Sequence, residues 1–145
     1  PKRPEPFYTR AYQTEQLRRE KAEAEDQTAF RFYIFPKSDP QVLIGSIAVS
    51  HIVRGCFLSC FLGYTLDQEY RNKGYMTQAI RSVVRFAFDG LRLHRIEANV
   101  MPRNPASRRV LEKCGFRDEG VSPQYLKING VWEDHLHYVL LNDGI

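Results

Sequence analysis

The stretch EYRNKGYMTQAI, residues 69–80, decides the reading of the chain. An arginine, an asparagine, a lysine and a glycine stand directly ahead of an amphipathic helical pattern. The first N–H groups of a helix have no intrahelical acceptor, so a helix start is a ready anion site, and Gly74 lets the chain approach such an anion closely. Phosphate is the first suspect. The plain alternative is that Arg71 and Lys73 are solvated loop charges before an ordinary core helix, and this stretch alone leaves both open.

Downstream, Met76, Ala79, Ile80, Val83, Val84 and Ala87 recur at helical spacing, and Asp89-Gly90 reads as the stop. RIEANVM (95–101) sets Ile96, Ala98 and Val100 against Glu97 and Asn99, the period of a strand. Asn104-Pro105 reads as an N-cap followed by proline at the first helical position, and Gly115 ends that short helix. Asn129-Gly130, between YLKI and VWEDHLHYVLL, is a hairpin turn.

Upstream, residues 7–26 form a helical region whose RREKAEAED stretch is expected to face water. TAFRFYIF (28–35) and VLIGSIAVSHI (42–52) flank the hairpin connection PKSDPQ, and CFLSCFLGYTL (56–66) follows the Arg54-Gly55 turn as a third strand. The order is helix, three strands, helix, strand, helix, hairpin, which predicts an α/β (α+β) domain with a mixed sheet. In such sheets ligands bind outside the carboxyl ends of central strands, where helices begin, and residues 69–77 fall there. No GxGxxG and no GxxxxGK[ST] is present, so neither a dinucleotide fold nor a nucleoside-triphosphate loop is indicated.

At 145 residues, 43% hydrophobic, the chain suits one domain, 1–145, with a real core. The formal charge of +4 favours an acidic partner, yet Lys and Arg are spread along the chain, so no direct nucleic-acid contact is expected and a phosphorylated small ligand satisfies the same charge. Cys56, Cys60 and Cys114 make an odd set without a CxxC pair, which fits reduced thiols in a cytoplasmic protein. No membrane-spanning apolar run and no apolar signal core is present, and no membrane partner is expected.

LGYTLDQEYRNKGYMTQAI (62–80), followed by RIEANVMPRNPASRRVLEKCGF (95–116), resembles the GNAT N-acetyltransferase superfamily, and within it the RimJ/RimL-like branch of ribosomal-protein N-terminal (alanine) acetyltransferases. The superfamily's pyrophosphate loop runs (Arg/Gln)-x-x-Gly-x-(Gly/Ala). Arg71, Gly74 and Met76 take its three places, Met76 being the departure from it. Asn104 and Ser107 with LEKCGF (111–116) match the branch's N-x-x-S-x-x-x-L-E-K-x-G-F in every place. The resemblance covers nearly the whole chain and implies a mostly antiparallel sheet flanked by helices. It also implies one more strand ahead of the first helix, so the chain is expected to be N-terminally incomplete.

The resemblance further implies acetyl-CoA as cosubstrate. Its pyrophosphate would lie against the backbone of Arg71, Asn72, Lys73, Gly74, Tyr75, Met76 and Thr77. Its pantetheine arm would pair like an extra strand with Gly63, Tyr64, Thr65 and Leu66, where the resemblance places a splayed, bulged segment, and Asn104 would hold the arm from the other side. Backbone N–H groups near Thr65 and Leu66 are the candidates for the acetyl carbonyl. Ser107 resembles the branch's proton donor to sulfur, and its plain alternative is a residue that only caps or lines its helix, with water or a tyrosine such as Tyr138 then supplying the proton. For the base, Glu69, Glu119 and Asp134 are the carboxylates near the expected cleft, and His51, His135 and His137 the other titratable groups. His135 and His137 share one strand face, but two histidines without a third ligand make no metal site. Cys60 and Cys114 are poor nucleophiles in apolar surroundings. The acceptor implied is a primary amine, first of all the N-terminus of a ribosomal protein. A small amine (polyamine, amino acid or aminoglycoside) and a non-catalytic CoA-binding role are the alternatives, and the assembly is expected to be a monomer or homodimer.

Overall fold

A computed structural model describes residues 10–144 of the chain. Residues 7–9 of the expected first helix, and the strand expected ahead of it, lie outside the described residues. The elements are α1 (Arg10–Glu25), β1 (Phe30–Ile34), β2 (Gly45–Val53), β3 (Ser59–Leu66), α2 (Tyr75–Arg85), β4 (Arg95–Val100), α3 (Pro105–Lys113), β5 (Arg117–Ile128) and β6 (Val131–Leu141). Six strands form one sheet in the order β1-β2-β3-β4-β6-β5. β3 and β4 pair parallel and every other neighbouring pair is antiparallel, the mixed α/β arrangement expected.

Alternation along the strands gives the sheet two unlike faces. Ile47, Val49, Cys60, Leu62, Ile96, Ala98, Val100 and Tyr138 are buried in one core cluster with Met76, Ile80, Val83 and Ala87 of the helix that begins at Tyr75. Leu111 and Phe116 bring α3 onto the same face. Phe86, in a π-helical turn that extends α2, takes Phe30 and Phe32 edge-on at 5.0 and 5.4 Å. Burying each large side chain contributes about 1.5–3 kcal/mol, so this face carries most of the fold's stability. On the opposite face α1 meets β1: Tyr33 donates to Glu20 at 2.6 Å and Arg31 pairs with the same carboxylate at 3.2 Å. Glu20, Glu23 and Ala24 are partly buried, and the rest of RREKAEAED does face water.

The terminators follow from backbone chemistry. Asn104 Oδ1 accepts from the Ser107 amide at 3.2 Å, with Pro105 at the first helical position. Gly115, at φ 89°, closes that helix in a left-handed turn, Phe116 N–H reaching Leu111 C=O at 3.0 Å. Asn129 and Gly130 both have positive φ, as a two-residue hairpin turn of this hand requires.

The α2 region stops at Gly90 as expected, through its π turn, and two other expectations need correction. The third strand begins at Ser59, not Cys56, because Gly55 and Leu58 both adopt positive φ and hold Cys56 and Phe57 in the turn. The last hairpin's first strand is not YLKI alone but runs back to Arg117; its polar RDEGVSPQ half lacks alternation and is held by pairing with β6, with register shifts around Gly120 and Gln124.

Gly45 stands where β2 lies against the end of β3, and a Cβ added there would be 2.3 Å from the Thr65 carbonyl oxygen. Gly45→Ala is expected to destabilise the fold by about 1–3 kcal/mol, as overpacking does, read as a lowered Tm. An unchanged Tm would show that β2 and β3 shift apart freely.

Candidate functional site: an opening between two parallel strands

β3 and β4 pair at three positions, Ser59↔Arg95, Cys60↔Ile96 and Phe61↔Glu97. Beyond Phe61, β3 continues to Leu66 on its β2 neighbour and β4 continues to Val100 on β6, and the two no longer pair with each other. An unpaired strand edge inside a sheet exposes alternate backbone N–H and C=O groups that seek partners. This is the splay expected at Gly63–Leu66. The expected bulge is elsewhere: pairing with β2 is regular from Gly45↔Leu66 to Ser50↔Phe61, and the extra residue sits in β2 near His51, whose φ of 51° breaks the pleat. Gly63 faces the open side, where a Cβ would meet nothing within 4 Å.

A 3-10 turn, Gln68–Tyr70, carries the end of β3 into the loop before α2. Asn72 and Gly74 both take left-handed φ, 62° and 85°, so the chain curls as it enters the helix. Gly74 is the N-cap and no side chain caps it, which leaves the amides of the first turn aimed outward. Arg71 and Lys73 are exposed beside them. Tyr70 stacks edge-on against Tyr75 at 5.9 Å and lies under the Lys73 ammonium at 5.6 Å, which fixes the loop's base. Met76 points its side chain into the core, 6% exposed, so its bulk lies inside the helix face and not in the loop. Curled backbone amides, two exposed cations and a helix start are a donor set suited to a pyrophosphate.

On the core side of the opening, the Tyr64 hydroxyl lies 2.5 Å from Ser107 Oγ. Asn104 holds the Ser107 amide, so serine, asparagine and tyrosine meet at the first turn of α3. Tyr138 is committed elsewhere: its hydroxyl donates to Glu112 at 2.8 Å and accepts from Arg108 Nε at 3.2 Å. The phenol beside Ser107 is therefore Tyr64. In the sequence its side chain had a legible signal, since Tyr64 shares the apolar parity of Cys60, Leu62 and Leu66.

The opposite face of β4, β6 and β5 is polar. Glu119 sits in a two-oxygen ion pair with Arg95 at 2.9 and 3.3 Å, and this hydrogen bonding holds its carboxyl below the usual carboxylate range, which makes it a weak base. Arg95 also binds Glu97 at 3.0 Å. His137 Nδ1 meets Asn99 Oδ1 at 2.6 Å and Glu97 at 3.3 Å, while its Nε2 meets Ser122 Oγ at 2.6 Å. This row escaped the sequence reading because its members come from three strands. Glu69 is exposed in the 3-10 turn next to the Arg71–Gly74 loop, and Asp134 accepts from the Gln124 amide at 2.9 Å in a groove lined by Pro102, Arg103, Trp132 and Glu133. His135 is buried against Tyr125, and His51 lies on the β2 bulge beside Ser50. Among the described residues no hydrogen bond joins Ser107, Glu69 and Glu119 to one another. Burial pushes the Cys60 thiol up to about 12 and raises Cys114 as well, so neither is a thiolate at neutral pH.

The profile of the family described as "Acetyltransferase (GNAT) domain" matches residues 2–117. The probable N-acetyltransferase YjcK of Bacillus subtilis (strain 168) is 46% identical over 140 residues, 97% of this chain and 77% of that protein. Among solved structures, ribosomal-protein-S5-alanine acetyltransferase from Vibrio fischeri superposes with a TM-score of 0.93 at 37% identity, covering 99% of this chain and 78% of that one. Mycobacterium smegmatis RimJ in complex with CoA-disulfide superposes with a TM-score of 0.88 at 28% identity, and this chain spans 65% of its length.

Burial pushes Tyr64 up from 10.0 to about 12, against the lowering effect of its hydrogen bond to Ser107. A folded value above the unfolded one gives stability that is whole below pH 10 and lost as pH rises toward 12. Denaturant unfolding across this range is expected to show a smaller loss of stability in Tyr64→Phe than in the parent. Equal losses would mean that the Tyr64 phenol ionises normally in the folded protein.

Proposed function

This chain belongs to the GNAT acetyltransferase family, on its RimJ/RimL-like branch, and from that premise we propose that it transfers acetyl from acetyl-CoA to the N-terminal amine of a protein, a ribosomal protein before others. The observation that carries the reading is the opening between β3 and β4 with a bare helix start at its end and a serine on its core side. Acetyl-CoA supplies an activated acyl group, so the protein's task is alignment and proton management.

The amides from Arg71 to Thr77 hold the pyrophosphate, with the α2 dipole adding to the attraction. The free edge of Gly63, Tyr64, Thr65 and Leu66 takes the pantetheine amides as a strand would, and Asn104 borders the arm. An amide of this edge, at Thr65 or Leu66, donates to the acetyl carbonyl as charge develops on its oxygen. Ser107 Oγ gives its proton to the departing sulfur. The acceptor approaches from the polar face, where Gly63 leaves room and where the amine's proton leaves by way of water and a carboxylate; of the two candidates named from sequence, Glu69 is the stronger, since the Arg95 ion pair weakens Glu119 as a base.

Acetyl transfer to peptides that carry the N-terminal residues of ribosomal proteins is expected to exceed transfer to spermidine, free amino acids or an aminoglycoside, measured as thiol release. Preference for a small amine would overturn the acceptor assignment, and no thiol release with any amine would overturn catalysis. Gly74→Glu places a carboxylate in the phosphate loop, where the added side chain has open space but an unfavourable φ of 85°. Its acetyl-CoA Kd is expected to rise at least about tenfold, more than 1.4 kcal/mol, with the domain still folded. Calorimetry showing unchanged affinity would remove the phosphate role from this helix start.

A further inference from the structure

Resting on the assignment of Ser107 as proton donor, we infer that Tyr64 is its positioning residue: the phenol donates to Ser107 Oγ and so turns the serine's own proton toward the sulfur. The two oxygens are 2.5 Å apart, and each is able to donate or accept. Direction is settled by satisfaction. Tyr64 OH is part-buried, and among the described residues the side-chain group it meets is Ser107 Oγ. A buried phenol proton needs an acceptor, so Tyr64 donates and Ser107 accepts. Were the serine to donate instead, the phenol proton would be left without one. Burial also keeps Tyr64 protonated well beyond neutral pH, so the donor is always loaded.

The geometry around the pair supports the same role. Asn104 Oδ1 takes the Ser107 amide at 3.2 Å and fixes the serine's backbone. Tyr64 fixes its hydroxyl rotor. Tyr64 also lies in the part of β3 that has left β4, so it belongs to the same splayed segment that receives the pantetheine arm. The serine is thereby registered to the strand on which the thioester lies, not only to its own helix.

The proton balance is closed. As the C–S bond breaks, its electron pair stays on sulfur, which takes the Ser107 proton. The Tyr64 proton moves along the hydrogen bond to Ser107 Oγ. The attacking nitrogen loses one proton to water and a carboxylate on the polar face as its bond to carbon forms, and exchange with solvent restores the phenol proton. One N–H is lost and one S–H is gained.

The test is a double-mutant cycle on kcat, with acetyl-CoA Kd measured directly for each variant. Tyr64→Phe keeps the ring and its packing, and a melting curve confirms that each variant folds. Tyr64→Phe is expected to lower kcat at least about tenfold in the parent, with Kd within about twofold, because general-acid assistance is worth about 10²- to 10⁴-fold and here acts through Ser107. In the Ser107→Ala background, Tyr64→Phe is expected to change kcat by less than about twofold, since a residue acting through another has no effect once that residue is gone. Additive losses, or a Kd that weakens in proportion to the rate, would overturn the inference and make Tyr64 a packing residue. A normal kcat for Tyr64→Phe beside an impaired Ser107→Ala would overturn it while leaving Ser107 the donor. A normal kcat for Ser107→Ala would overturn the serine assignment itself.

Discussion

The loss of pairing between β3 and β4 after Phe61↔Glu97 is the constraint on which the rest of the site depends. Two strands that start as hydrogen-bonded neighbours and then part leave facing backbone groups that water or a ligand must satisfy. Each strand keeps its outer neighbour, β2 or β6, so the opening is rigid on both walls. A ligand with amides of its own fits such an opening better than one without them. The helix that begins at Tyr75 presents uncapped N–H groups at the carboxyl end of β3, which favours a ligand charged at that end.

The sheet's two faces divide stability from chemistry. The α2 and α3 face is apolar almost throughout, and its one polar intrusion near the opening, Tyr64, is satisfied by Ser107. Tyr138 on the same face is tied to Arg108 and Glu112 of α3, which locks that helix onto β6 and so fixes where Ser107 stands. The other face carries Arg95, Glu97, Asn99, His137 and Ser122 in one hydrogen-bonded row from β4 to β5. Ser107 and the polar row thus lie on opposite sides of the opening, an arrangement compatible with moving one proton off nitrogen and another onto sulfur.

Much of this was legible in the residues. The period-2 run RIEANVM gave β4, Asn104-Pro105 gave the start of α3, and Asn129-Gly130 gave the last hairpin, because each rests on local backbone chemistry. RNKGYM announced a helix start, and the order of elements placed it at the end of a central strand. What stayed hidden depends on partners distant in sequence. The polar half of β5 has no period of its own, and the bulge at His51 shows only against β3. The pairing of Tyr64 with Ser107, 43 residues apart, needs the strand and helix to be docked. Glu119 reads in sequence as a carboxylate near the cleft, and its ion pair with Arg95, 24 residues away, leaves no local signal.

The central claim is that the opened edge of β3 and the start of α2 form one continuous binding surface for acetyl-CoA. Backbone amide chemical shifts, followed as acetyl-CoA is titrated into the protein, test it most directly. The account predicts the largest changes at Gly63–Leu66 and Arg71–Thr77, with little change at the Asn129-Gly130 turn. Saturating shifts that leave both segments unmoved, or that cluster on the polar face of β5 and β6 instead, would contradict it.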